Sequence, residues 1–347
     1  MVWGYDSQLG EDIDQPQANY FIAVAKKMNE AGAVPKVILC ASIPSWLKAE
    51  QSAKNSQERK MFYQGLDYVA GILKDNCDGV KIPLVLAGDQ HHYSRYTADE
   101  AGTHFITDGG GGAFLHPTHH LQPRISASWV KTSQILNLAT KTEPSGAGWK
   151  ESAQTSVCYP SKKTSRRLAW GNLAFIFRNS DFCLTLGILY WLSALGLLGW
   201  RGYGQSGGTG SLVDRAIQQI SDFTPNPAFV LVGLFFCAAL INYADIKSRS
   251  LKILLGGIHG LFHIAIIAVA TGFSSVAVYN LQFMLGGDIL YFIGLGVGMT
   301  ASGFVGGIVW GLYLLAVSFW LGDHANDAFS AMRLDKYRQF SPNEDRG

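Results

Sequence analysis

The 347-residue chain carries 28 Lys and Arg against 26 Asp and Glu, and the formal net charge of +2 selects no partner. No basic block is dense enough, or interleaved enough with aromatic residues, to suggest nucleic acid, and five cysteines without paired spacing argue against a disulfide framework. Residues 1–167 are rich in Lys, Asp, Glu, Gln and Ser, whereas residues 182–322 hold long uncharged runs of Leu, Ile, Val, Phe and Gly.

The first residues, Met1 to Asp6, lack the basic and apolar stretches of a secretory signal. Asp14 to Asn29 combines an acidic cap, an early Pro and apolar residues at helical spacing, which predicts a helix. Val37-Ile38-Leu39-Cys40 is a short apolar run entering a loop at Ala41-Ser42-Ile43-Pro44, the pattern of a buried strand. Residues 56–76 predict a second helix with Phe62, Leu66, Val69, Ile72 and Leu73 on one stripe. A second strand, Ile82 to Ala87, runs straight into Gly88-Asp89-Gln90-His91-His92-Tyr93. A third, Phe105 to Asp108, leads into Gly109 to Gly112 and then His116, His119 and His120.

This alternation predicts a layered α/β arrangement, with ligands at strand ends. Asp89 and His91 stand two apart after a buried strand, and a carboxylate beside an imidazole suits Zn, Mn or Fe. Six of the nine histidines, His91, His92, His104, His116, His119 and His120, fall within 30 residues, which strengthens a metal reading over ordinary loop chemistry. The four glycines permit close backbone approach, either cradling a phosphate or forming a plain loop.

About twenty apolar residues cross a bilayer core. Residues 182–200, 227–244, 253–273 and 301–322 meet that measure, and 275–298 is either a fifth span or a re-entrant helix. Lys162, Lys163, Arg166, Arg167 and Arg178 precede the first span, Lys247, Arg249 and Lys252 follow the second, and Arg333, Lys336 and Arg338 follow the last. Both termini are thereby expected in the cytoplasm, with four full spans and the loop at 202–210 outside. Asn179 and Asp181 are expected to cap the first span. His259 and His263, four apart in the third span, suit interhelical hydrogen bonds, a metal or a haem. Asp288 is expected at the interface.

The runs VPKVILCASIPSWL, IPLVLAGDQHHYSRY and THFITDGGGGAFLHPTHHL occur in an order that resembles the carboxy-terminal half of a calcineurin-like metallophosphoesterase domain, of the bacterial type fused to membrane helices. His324 to Ala331 is similar to sequence following the helices of those members, so the resemblance covers most of the chain. It implies a β-sandwich flanked by helices, a site for two divalent metal ions at strand ends, and hydrolysis of phosphate mono- or diesters. Gly88-Asp89-Gln90-His91 matches the late Gly-Asp-x-His form, which implies His91 and Asp89 as metal ligands. His92, Arg95, Gly110, Gly111, His116 and His119 would then stand near the metal or phosphate. Ala41 or Ser42 occupies the place where many members carry a histidine.

The family's Asp-x-His, Gly-Asp-x-x-Asp and Gly-Asn-His-Asp/Glu motifs do not precede this stretch. The expectation is therefore a truncated or misassigned gene product, or a chain completed by a partner, inactive alone. The fold expected is α+β: a partial metallophosphoesterase-type domain at 1–165, a transmembrane bundle of four or five helices at 166–323 and a cytoplasmic tail at 324–347. The function expected is that of a membrane-anchored phosphoesterase, its catalytic residues unassigned, with the lipid bilayer and a phosphoester as partners. The alternative is a non-enzymatic multi-pass membrane protein whose amino-terminal region binds a partner.

Overall fold

The computed structural model describes residues 1–5, 13–32, 34–51, 57–98, 102–109, 116–144, 152–199, 210–223, 225–244, 249–285 and 288–320. The fold is mixed α/β and divides into two compact units, Met1–Leu168 and the chain from Ala169 onward.

In the first unit, β1 (Val2–Tyr5) leads to α1 (Gln15–Glu30). Asp14 caps this helix by accepting the Gln17 N–H at 2.8 Å, and Pro16 sits where its missing N–H costs nothing. Then come β2 (Lys36–Ala41), α2 (Ser45–Gln51), α3 (Gln57–Asn76) and β3 (Lys81–Ala87). Strands β1, β2 and β3 run parallel, joined through these helices. The β2–β3 register shifts between Lys36 and Ile38, opposite Pro83, which has no N–H to give the ladder.

The chain continues through β4 (Tyr93–Ala98) and β5 (Thr103–Asp108). Strand β5 pairs parallel with β3, and β4 returns antiparallel on its far side. Next are β6 (Arg124–Trp129), β7 (Thr132–Leu138), β8 (Thr140–Pro144), β9 (Ser152–Ser156), β10 (Cys158–Tyr159) and α4 (Lys162–Ala169). The result is one eight-stranded sheet in the order β1-β2-β3-β5-β4-β7-β6, with β10 on β4, and a separate β8–β9 ladder. The resemblance implies a sandwich of two sheets; the described residues form this single mixed sheet and the small ladder.

The core is aromatic as well as aliphatic. Trp3 stacks on Phe21 of α1 at 4.8 Å, and Phe105 meets Trp46 edge-on at 5.3 Å and Trp129 at 5.0 Å. The α3 stripe faces inward as its spacing predicts, with Leu66, Val69, Ile72 and Leu73 buried and Phe62 packed against the same core.

The second unit opens with a 3-10 turn, Trp170–Ala174, and the single turn α5 (Phe175–Arg178). It continues through α6 (Ser180–Gly199), α7 (Leu212–Ser221), α8 (Pro227–Tyr243), α9 (Arg249–Leu285) and α10 (Asp288–Trp320). Three helices are long and apolar enough to cross a membrane, over Ser180–Gly199, Arg249–Tyr279 and Ile289–Phe319, and α8 is a shorter apolar helix. Leu261 and Phe262 of α9 are 61% and 56% exposed, as are many other large apolar residues on these helices, a surface that suits lipid.

Among the described residues, 275–285 and 288–298 form neither a separate span nor a re-entrant helix. Ser275–Leu285 continues α9, and Asp288 opens α10. Asn179 does not cap α6 with its side chain, which donates instead to the Phe175 carbonyl at 3.2 Å. Residues 201–209 and the tail from 321, including His324, lie outside the described residues.

Glycine governs how closely these helices approach. A Cβ at Gly303 would stand 2.2 Å from the Cys183 carbonyl oxygen and 2.5 Å from Gly187 N, so α10 and α6 touch backbone to backbone. Gly303→Val is expected to lower the thermal stability of the detergent-solubilised protein, by about 1–3 kcal/mol from overpacking. Gly196→Ala, where an added Cβ meets nothing within 4 Å, should leave the melting temperature near that of the parent.

Candidate functional site

Because β2, β3 and β5 are parallel neighbours, their carboxyl ends lie on one edge of the sheet, where ligands bind in open α/β sheets. The three ends meet at Gly88, whose ideal Cβ position is 3.9 Å from the Ser42 carbonyl oxygen and 4.0 Å from that of Asp108. Asp89 follows with φ +57°, a left-handed conformation that Asp tolerates better than most residues. Its carboxylate is 44% exposed and lies 3.8 Å from Lys48 Nζ of α2.

The loop after β5 closes against the loop after β3. Gly109 donates its N–H to the His92 carbonyl at 3.2 Å, and His116 donates its N–H to the His91 carbonyl at 2.7 Å. In return His91 N–H donates to His116 Nδ1 at 3.1 Å, and the two rings stack at 4.9 Å. A Cβ on Gly109 would fall 1.9 Å from the Gln90 carbonyl oxygen, so this position requires glycine. The close approach expected of the glycine run is thus made at Gly109 by the chain's own backbone. Gly110 and Gly111 lie outside the described residues.

The histidines separate into different environments. His92 is buried beside Ser94, 3.3 Å from Nε2 to Oγ, and burial foremost, with His91 second, pulls its pKa down to about 4. His116 is pulled down to about 3, again chiefly by burial, then by His91, His92 and Lys48. A neutral His116 whose Nδ1 accepts a backbone N–H carries its proton on Nε2, which disqualifies it as a metal ligand in this arrangement. His119 Nδ1 bonds Ser165 Oγ of α4 at 2.8 Å, and burial holds the neighbouring His120 well below its ordinary pKa. His104 leaves the group: it is exposed in mid-strand, its Nδ1 3.1 Å from Thr97 Oγ1 of β4. Arg95 lies on β4 opposite Ile106, two positions beyond the strand's start.

Asp89 and His91 are therefore the metal-type donors that follow β3, and Asp108 ends β5 at the same sheet edge. A cation bound at Asp89 would have to displace or compete with Lys48. No group of three His, Cys, Asp or Glu side chains capable of holding a metal is assembled among the described residues. Two donors are fewer than a hydrolytic metal centre uses, so the residues present do not by themselves fit a two-metal site. Sequence reasoning missed Lys48 and Ser165. Lys48 sits about one helical turn beyond the Ser42 loop and was discoverable as the cation of α2, whereas nothing local links Ser165 to His119.

In the second unit His259 and His263 are buried on α9, their Nε2 atoms 3.0 Å apart. His263 Nδ1 hydrogen-bonds Tyr190 OH of α6, and His259 stacks on Tyr313 of α10 at 4.3 Å. The pair is an interhelical hydrogen-bonding group enclosed by aromatic rings, and no carboxylate or thiolate joins it in a metal-type cluster among the described residues.

No protein-family model, curated protein or solved structure matches the chain.

The depressed histidines make stability depend on pH. A histidine that resists protonation when folded contributes stability that is complete above its ordinary pKa of 6.5 and is lost as pH falls through 6.5 toward the folded value. Chemical denaturation in metal-free buffer should show the first unit weakening between pH 6.5 and about 4, and His92→Gln should flatten that decline. An unchanged slope in the variant would remove His92 as the cause.

Proposed function

We propose that the first unit is the carboxy-terminal part of a metallophosphoesterase-type domain, held at a membrane by the apolar helices of the second. The observation that carries this reading is the meeting of the β2, β3 and β5 ends at Gly88, with Asp89 and His91 projecting from that point in the order the sequence resemblance requires. On this reading Asp89 and His91 would contribute two ligands to a divalent metal ion, which would supply Lewis-acid activation for phosphoester hydrolysis. A hydrolytic metal centre takes more ligands than these two. The His91–His116 backbone pairing fixes the corner, and the neutral His116 ring packs behind it without adding charge.

The exposed apolar surfaces of α6, α8, α9 and α10 face lipid in this account, with the shorter α8 as the fourth crossing that an even count requires. The basic residues before α6, at the start of α9 and after α10 hold both termini on the cytoplasmic side. The bilayer and a phosphoester of unassigned identity are the partners.

A segment carrying Asp-x-His and Gly-Asn-His motifs, fused ahead of the chain, is expected to complete the ligand set. The product joined to that segment should hydrolyse bis-p-nitrophenyl phosphate in a Mn2+-dependent manner, and His91→Ala should cut the rate on the order of 100-fold or more. A joined product without phosphoesterase activity, or one indifferent to His91→Ala, would contradict the proposal and favour a partner-binding role for the first unit.

A further inference from the structure

Helix α4 carries two opposed chemistries within eight residues. At about 3.6 residues per turn, Lys162, Lys163, Arg166 and Arg167 share one arc, while Thr164, Ser165 and Leu168 share the opposite one. Lys163, Arg166 and Arg167 are exposed and have no ion-pair partner among the described residues. Lys162, half-buried, donates to the Leu121 carbonyl at 2.5 Å.

The opposite arc grips the histidine loop. Ser165 is fully buried; its Oγ accepts the Thr118 N–H at 3.0 Å and bonds His119 Nδ1 at 2.8 Å. Thr118 Oγ1 also donates to the Pro160 carbonyl, just ahead of α4, at 2.6 Å.

We infer that the exposed basic face of α4 docks on anionic phospholipid headgroups while its inner face, through Ser165, holds the His116–His120 segment in register with the candidate site. The inference rests on the membrane reading of the apolar helices, and not on the phosphoesterase assignment. Lipid is the occupant the chain itself specifies. Helix α4 ends at Ala169 and the first long apolar helix begins at Ser180, 11 positions later, a separation that even fully extended chain bridges in about 40 Å or less. A headgroup layer is therefore tethered within reach, at an effective concentration no diffusing polyanion matches. Lys163, Arg166 and Arg167, with the exposed Arg178 ahead of the same apolar span, make a four-cation sequence cluster of the kind that binds anionic leaflets, each charge near the surface contributing on the order of fivefold to affinity.

Hydrogen exchange on the full chain in nanodiscs tests this directly, comparing phosphatidylcholine alone with phosphatidylcholine containing phosphatidylglycerol. Anionic lipid is expected to slow exchange severalfold at 162–168 and at 116–121. The slowing should disappear in the Lys163→Gln, Arg166→Gln, Arg167→Gln triple variant and at high salt. Ser165→Ala should keep the protection at 162–168 and lose it at 116–121, separating lipid docking from its transmission to the loop. Equal exchange in the two lipids, persistence of the effect in the triple variant, or the same protection from soluble inorganic polyphosphate would overturn the inference. Extraction of the chain from vesicles by alkaline carbonate would instead strike the membrane reading, and this inference with it.

Discussion

Everything proposed for the first unit depends on one contact, the backbone pairing of the loops that follow β3 and β5. Gly109 lies against Gln90 and His91 at a separation no other residue permits, and the His91–His116 exchange of hydrogen bonds closes the corner on its other side. Two irregular segments are thereby fixed relative to a rigid parallel sheet, which is how a site gains precision without lying on a regular element. Asp89, in its left-handed turn, and His91 project from that corner. His92 and His116 stay neutral because burial makes protonation costly, so the loops are held together without accumulating positive charge where a cation or phosphate chemistry would have to operate.

Much of this was legible in the sequence where the signal is local. The Asp14 cap with Pro16 announced α1, and the apolar run from Ile82 into Gly88 announced β3 and its site-bearing end. Phe105 to Asp108 announced β5 as well, but β4 and the strands from β6 onward escaped. Tyr93–Ala98 and Arg124–Trp129 bury alternate residues but owe their place to antiparallel partners far along the chain, as in the pairing of Tyr96 with Leu138. Grouping six histidines by sequence distance also failed for His104. In a strand of period two, that residue faces away from the buried side that carries Phe105 and Thr103.

In the second unit the glycines misled for a physical reason. Between 294 and 311 they suggest broken helix by the standards of water-soluble proteins, where glycine costs stability. Here they sit inside α10, where Gly303, Gly306, Gly307 and Gly311 let it approach α6 and the turn before α5. Tyr190 of α6 hydrogen-bonds His263 across helices, the cheaper arrangement for imidazole in an apolar surround, whereas His259 Nδ1 is buried without a hydrogen-bond partner among the described residues.

The central claim is that Asp89 and His91 form the metal-accepting corner of the chain, and paramagnetic broadening tests it even where binding is weak. With ring-labelled histidines in the detergent-solubilised full chain, sub-stoichiometric Mn2+ should broaden His91 first and His116 and His92 with it, while His104, His259 and His263 remain sharp. Broadening of His104 ahead of His91, or broadening that survives Asp89→Asn unchanged, would contradict the account.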